Sequence, residues 1–197
     1  MILTTSMLKE RYQDYANPLD KIKRDADNGL LIRLNRGIYE TKRTVNPCLL
    51  AEVILSPSYL SFDFALSYYG LIPERVYAIT SASFKVRKRK TFINDFGRYE
   101  YIDIPESAYP EGITVLEEDG FFQKIASKEK AICDSLCKWR PIHSVKSLKE
   151  LLFEDKRINE EEFATCDFHL MLHLASLYKK TNLEYLIKLI KKEYLHE

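Results

Sequence analysis

Closely spaced glycines are missing from this sequence of 197 residues. Its six glycines lie no closer together than eight positions. A Walker phosphate-binding loop needs two glycines five positions apart, and a dinucleotide-binding turn needs three within six positions. A serine-hydrolase elbow needs two glycines that flank the serine, and this pattern is excluded by the same spacing. His-Glu-x-x-His and Cys-x-x-Cys are also missing, so we expect a protein that is not an enzyme and has no catalytic residues.

Cysteine and long apolar runs are scarce as well. Four cysteines at irregular spacings are too few for a disulfide scaffold. The longest stretch without a charged residue covers residues 168–178, far short of the roughly 18 apolar residues that a membrane-spanning helix needs. The first residues lack the basic segment and apolar core of an export signal. The sequence therefore predicts a cytoplasmic protein in a reducing compartment, without a membrane partner.

Charge is distributed unevenly, although the formal net charge is only +1. Residues 1–45 contain nine Lys and Arg against six Asp and Glu. Residues 84–98 contain six basic side chains against Asp95 alone, whereas residues 105–197 contain fourteen basic and seventeen acidic ones. Two basic segments on a nearly neutral chain favour an anionic partner for the first half of the protein.

The first 45 residues have the pattern of a winged helix. Apolar residues at helical spacing predict a first helix over residues 6–15. Asn17, followed by a proline, predicts the start of a second helix that ends at Gly29. Two strand-like runs around a tight turn predict a hairpin over residues 30–40. We expect a winged-helix DNA-binding domain at residues 1–45.

The remaining residues, 46–197, mix strands with helices and are expected to form a second domain. Strands and hairpins are predicted within residues 77–125, with one turn at Asp119-Gly120. Helices are predicted over residues 46–55, 61–69, 127–139, 145–153, 163–178 and 182–194. The expected fold class is α+β: a short N-terminal winged helix, then a mixed α/β body with a helical C-terminus.

The second helix has a candidate DNA-reading face. Its predicted core side is apolar and contains Leu19, Ile22, Ala26 and, just beyond the helix, Leu30. Its predicted solvent side is polar and contains Lys21, Arg24 and Asn28. Two cations and an amide on this helix could enter a major groove, while Arg33 and Arg36 on the hairpin would contact phosphates or the minor groove. The alternative is an ordinary solvated face, and three aspartates on the same helix favour it.

The second basic segment has the densest charge in the chain. It comprises Lys85, Arg87, Lys88, Arg89 and Lys90. It precedes a predicted strand over residues 91–96, and strand alternation would send the first, second and fourth cations to one face and the other two to the opposite face. A phosphate backbone or an acidic protein surface would relieve the repulsion among them. The alternative is a charged sheet edge that prevents unwanted strand pairing.

A cysteine and two histidines are the candidate metal ligands. Cys166, His169 and His173 would share one face of the helix predicted over residues 163–178. The tight ligand pairs from two elements that are typical of zinc modules are missing, so a buried helix stripe is favoured over a metal site. We expect no bound metal and no cofactor.

Three stretches occur in a particular order along the chain. The first, Gly29-Leu-Leu-Ile-Arg-Leu-Asn-Arg-Gly-Ile-Tyr39, has a strand that ends in Arg-Gly and an apolar-Tyr pair. The second begins Ser58-Tyr-Leu-Ser-Phe and continues to Tyr77-Ala-Ile-Thr-Ser81. The third is Ala126-Ser-Lys-Glu-Lys-Ala-Ile-Cys-Asp-Ser-Leu136. Together, over about residues 17–140, they resemble the AbiE-type abortive-infection antitoxin family.

This resemblance implies an N-terminal winged helix joined to a larger antitoxin domain. It implies an antitoxin that binds double-stranded promoter DNA, represses its own operon and counteracts a nucleotidyltransferase toxin encoded beside it. The chain departs from the family in having one clear helix before the presumed recognition helix. The alternative function is an antitoxin that neutralises its toxin directly through basic segment 85–90, with a winged helix that does not read bases. A monomer or weak homodimer is expected.

Overall fold

A computed structural model describes residues 1–118 and 121–196, and it confirms an α+β fold with helices at the C-terminus. The turn predicted at Asp119-Gly120 lies outside these residues. The strands are Ile2–Thr4 (β1), Ile32–Asn35 (β2), Ile38–Glu40 (β3), Tyr59–Leu60 (β4), Ala78–Ser83 (β5), Lys90–Asn94 (β6), Gly97–Asp103 (β7), Ile113–Glu118 (β8) and Phe121–Ala126 (β9). The α-helices are Thr5–Arg11 (α1), Pro18–Asp27 (α2), Ala51–Ile54 (α3), Phe62–Tyr68 (α4), Lys128–Lys138 (α5), Val145–Lys149 (α6), Glu160–Ala164 (α7), Phe168–Tyr178 (α8) and Thr181–Glu193 (α9).

The N-terminal unit has the element order β1-α1-α2-β2-β3. Its strands form an antiparallel sheet in the order β1-β3-β2, and sequence analysis missed β1. The Asn17 side chain caps α2 by accepting from two backbone N–H groups, and Gly29 follows the helix with a φ of +72° that favours glycine. A small core holds the unit together, formed by Leu3, Leu8, Ile22, Leu31 and Tyr39. That this unit is a winged helix stays a prediction.

Helix α1 is shorter than predicted, since it ends at Arg11 instead of continuing to residue 15. Tyr12 leaves the helix, and its hydroxyl donates a hydrogen bond to Asp25 on α2 at 2.8 Å. Two of the predicted core leucines are also exposed, Leu19 by 50 % and Leu30 by 63 %. Asp25 takes an inner position of α2 because Tyr12 and the neighbouring lysine satisfy its carboxylate.

The body contains a second sheet, in the strand order β6-β7-β5-β4-β9-β8. The hairpins β6–β7 and β8–β9 are antiparallel, but β5 pairs in parallel with β7, and β4 pairs in parallel with β9. The sheet is therefore mixed, and the prediction of consecutive hairpins describes only part of it. Helices α4, α5, α8 and α9 pack around the main hydrophobic core.

The C-terminal helices cover this core, but two of them differ from the predicted ones. Helix α6 passes into a π-helical turn over Glu150–Asp155. The helix predicted over residues 163–178 is divided into α7 and α8, because Asp167 caps the start of α8 by accepting from the N–H of Leu170. No helix within residues 1–118 and 121–196 has the length and apolar character to cross a membrane.

The N-terminal unit is attached to the body at its hairpin. Leu34 of β2 packs into the main core, while the Asn35 side chain donates to the carbonyl of Ile54 at 3.0 Å. From the body, the Asn94 side chain donates to the carbonyl of Leu34 at 3.2 Å. These two hydrogen bonds from side-chain amides, together with the apolar contact of Leu34, hold the unit against one end of β6.

Candidate nucleic-acid interface

The exposed face of α2 carries two of the predicted DNA-reading residues, Arg24 and Asn28. Lys23, which is not among the predicted residues, is also exposed on this helix. Two aspartates, Asp20 and Asp27, are exposed on the same helix. The two cations and two carboxylates cancel in formal charge, so base reading by this face would depend on hydrogen bonds more than on net charge.

Lys21 does not lie on this free face, and this part of the predicted face is wrong. Its ammonium group donates to Asp25 Oδ1 at 2.6 Å and lies 5.5–5.6 Å from the ring centres of Tyr12 and Tyr15. Lys21 therefore packs against Tyr12 and Tyr15 in the segment that follows α1, and it links this segment to α2. The prediction failed because angular position along α2 gives no information on the two tyrosines that lie outside the helix and contact Lys21.

Asp25 fixes the position of α2 relative to α1. It is only 3 % exposed, and it accepts hydrogen bonds from Lys21 and from the Tyr12 hydroxyl. The bond from Lys21 lowers the pKa of the Asp25 carboxyl, and the bond from Tyr12 acts in the same direction, whereas burial opposes both. The net effect is a lowered pKa, so the carboxylate remains charged at neutral pH.

We expect Asp25→Asn to lower the free energy of unfolding at neutral pH by about 1–3 kcal/mol, because the charged acceptor of two hydrogen bonds is lost. A carboxyl with a depressed folded pKa adds stability above its unfolded pKa of about 3.9 and loses it as the pH falls through the folded value. Chemical denaturation at a series of pH values should show less acid destabilisation in the variant than in the wild type. Asp27→Asn, at an exposed site, is the control. Equal acid profiles for wild type and Asp25→Asn would contradict this role.

The hairpin residues Arg33 and Arg36 are both exposed, as predicted. The turn that carries Arg36 is held on two sides: Asn35 bonds to the body, and the carbonyl of Gly37 accepts from the N–H of Thr5 at 2.9 Å. Arg33 and Lys23 line one cleft between α2 and β2, of about 470 Å³. The structure thus brings Arg33 close to Lys23 and Asp27 of α2, whereas Arg24 and Asn28 do not line this cleft.

The basic segment 85–90 is exposed at all five cations, but its predicted strand alternation is wrong. Residues 85–89 form a loop between β5 and β6, and only Lys90 belongs to a strand. The loop is anchored by Val86, which is 1 % exposed and part of the main core. In residues 1–118 and 121–196, Arg89 is the one cation of the segment that forms an ion pair with a carboxylate. The other four charges are thus available to an anionic partner.

The candidate DNA-binding residues of the N-terminal unit and the basic segment 85–90 do not form one continuous patch. Strand β6 begins at Lys90, next to the basic loop, and ends at Asn94, which contacts the N-terminal unit. At about 3.3 Å per residue, roughly 13 Å of strand lies between these points. A DNA duplex repeats every ~34 Å, so one duplex is long enough to reach both groups.

The candidate metal ligands are not on one helix face. Cys166 lies between α7 and α8, so the predicted spacing along a single helix does not exist. Burial raises the pKa of the Cys166 thiol to about 12, which disfavours the thiolate that a metal would need. His169 and His173 are exposed. Within residues 1–118 and 121–196, no three His, Cys, Asp or Glu side chains are grouped so as to hold a metal ion.

No protein-family model matches this chain, and no curated protein matches it at a significant level. The assignment to an antitoxin family therefore remains a proposal from the resemblance of the three stretches.

Proposed function

We propose that this protein is a non-enzymatic, cytoplasmic antitoxin of the AbiE type that binds promoter DNA and represses its own operon. Its functional partner would be a nucleotidyltransferase toxin. The observation that carries the DNA-binding part is the N-terminal arrangement. Two consecutive helices precede a hairpin, and the second helix buries Ile22 while exposing Lys23, Arg24 and Asn28. This is the side-chain arrangement that a recognition helix requires.

A binding titration with the DNA upstream of the protein's own gene tests this proposal. The wild type should bind that duplex more tightly than a random duplex of equal length, with an affinity that falls as salt rises. Equal affinity for the two duplexes would rule out base reading. Absence of binding to both would rule out the DNA-binding function.

Alanine substitutions of Arg24 and Arg36 should change DNA binding in different ways if the helix reads bases and the hairpin contacts phosphates. Arg24→Ala should cost about 1–3 kcal/mol on promoter DNA and much less on random DNA. Arg36→Ala should weaken binding to both duplexes alike and reduce the slope of log K against log salt by about 1. Titrations at several salt concentrations measure both effects. Lys146→Ala, which removes an exposed cation on α6, is the control for charge alone. An equal loss on both duplexes for Arg24→Ala would contradict base reading.

A second candidate function is favoured by one observation: the exposed face of α2 is neutral, whereas the basic loop has four cations without a carboxylate partner in the described chain. In this alternative, the loop binds an acidic surface of the toxin and neutralises it directly. Substituting Arg87 and Lys88 by Gln should then abolish protection against the toxin while promoter binding persists. If promoter binding falls and protection persists, the loop contacts DNA instead.

A further inference from the structure

Two arginines, one in the loop before β6 and one on β7, share one buried carboxylate. Arg98 uses both its Nε and one Nη group on Glu100 Oε1, at 2.7 and 2.6 Å. Arg89, from the basic loop, donates to the other oxygen, Oε2. The Glu100 side chain is 6 % exposed, whereas those of Arg89 and Arg98 are 59 % and 57 % exposed. The carboxylate is thus beneath two solvent-facing guanidinium groups.

On strands β6 and β7, this arrangement lies on an exposed part of one sheet face, since Thr91, Ile93 and Arg98 are all exposed there. In the β6–β7 hairpin, Glu100 is opposite Thr91, and Arg98 is opposite Ile93. Directly opposed residues of an antiparallel pair project to the same face, and Ile93 is 75 % exposed there. A ligand can therefore approach the two arginines without displacing part of the described chain.

The charges and the geometry favour a phosphate group. Two guanidinium groups and one carboxylate leave a net charge of +1 at the site. Each arginine has five N–H donors in a rigid fork, and Arg98 engages Glu100 through one edge of its fork only. Its other Nη group therefore remains directed away from the carboxylate. Because Glu100 holds both forks, little side-chain entropy is lost when they bind an anion.

We propose that Arg89 and Arg98, oriented by the buried carboxylate of Glu100, bind one phosphate group of the DNA backbone on the open face of β6 and β7. This inference rests on the proposed DNA-binding function and adds Arg98 as a contact and Glu100 as a positioning residue. Sequence analysis counted Arg98 among the cations of residues 84–98 but could not place it beside Arg89.

The variant Glu100→Gln tests whether DNA binding depends on the orientation of the two arginines by Glu100 or only on the net charge of the site. Removing a negative charge near DNA should strengthen binding if only net charge matters. The proposal predicts the opposite: affinity for promoter and random duplex falls about threefold or more, because the forks lose their anchor. Asp155→Asn is the matched control, since it removes an exposed carboxylate that is paired with Arg140 elsewhere on the surface. Tighter binding by folded Glu100→Gln would overturn the proposal.

Lysine substitutions keep the proposal testable if Glu100→Gln does not fold. Arg98→Lys and the double variant Arg89→Lys/Arg98→Lys keep the charge but lose the fork. We expect both to bind DNA more weakly than the wild type, and Arg140→Lys to bind equally well. Wild-type affinity in the double variant would overturn the proposal. If Glu100→Gln does fold, adding it to the double variant should cause no further loss, because Glu100 acts only through the two arginines. A further loss would mean that Glu100 has a general structural role.

Inorganic phosphate distinguishes failure of this inference from failure of the proposed function. Phosphate should shift the Arg98 Nε–H signal in NMR spectra of the wild type, and Glu100→Gln should need a higher phosphate concentration for the same shift. If the wild type binds DNA but the Arg and Glu100 variants bind equally well, the phosphate site is wrong and the function stands. If the phosphate shift is present but no duplex binds, the site stands and the DNA-binding function is wrong.

Discussion

Asp134→Ala is expected to destabilise the protein by about 3–5 kcal/mol, the cost of breaking a fully buried ion pair and its hydrogen bonds. Asp134 on α5 is completely buried, and its carboxylate accepts hydrogen bonds from three hydroxyl groups: Tyr59 at 2.9 Å, Ser61 at 2.6 Å and Tyr178 at 2.6 Å. Lys130, one helical turn away and also fully buried, lies 3.6 Å from the carboxylate. The alanine variant would leave these donors in the core without their acceptor.

The tyrosines of this network are held in the donating form. Burial raises the pKa of Tyr59 and Tyr178 well above the usual value, and the charge of Asp134 raises both further. The Tyr178 hydroxyl donates to Asp134 and accepts from Lys130 at 2.7 Å, while Lys130 also donates to the carbonyl of Ala108. One network therefore ties α5 to β4, to α8 and to the turn before β8.

Chemical denaturation of Asp134→Ala against Asp155→Ala measures this effect. Asp155 is exposed and pairs with exposed Arg140, so its removal should cost at most about 1 kcal/mol. A loss of similar size in the two variants would show that the buried network contributes no more than a surface pair.

Leu186→Ala should cost about 2–5 kcal/mol, because it removes a large side chain from the main core and leaves a cavity. Leu186 in α9 is fully buried, and its helix neighbours Leu183 and Ile190 are at most 1 % exposed. The helical spacing of these three residues in the sequence is that of one apolar face. Lys192→Ala, on the exposed side of the same helix, should change stability by no more than about 0.5 kcal/mol. A change of that size for Leu186→Ala would mean that the packing of α9 is wrong.

The buried network also bears on the resemblance to the antitoxin family. Tyr59 and Ser61 belong to the second of the three stretches, whereas Lys130 and Asp134 belong to the third. The structure brings these stretches together in the core. These four side chains therefore have a structural role in the core of the body. The proposed DNA binding depends on other residues, which lie on the surface.

Helix starts and ends could be predicted because their signals are local. Asn17 caps α2 as predicted, Ser127 caps α5 at the start of the helix predicted over residues 127–139, and Asn46 caps the 3₁₀ turn Pro47–Leu50. Each cap joins a side chain to a backbone N–H two or three residues away, so neighbouring residues are sufficient to specify it. Asp167 carries the same signal and would have located the start of α8, and with it the separation of Cys166 from the helix that contains His169 and His173.

Contacts between distant parts of the chain could not be predicted in this way. Spacing along α2 gave no indication that Asp25 is buried, because its partner Tyr12 lies outside the helix. The parallel pairs β5–β7 and β4–β9, and the meeting of Asp134 with Tyr59 across 75 positions, join elements that have no local pattern in common. Local patterns specify which residues form a helix or strand, but the order of strands in a sheet and the partners of buried charges follow from the packing of distant segments into the two hydrophobic cores.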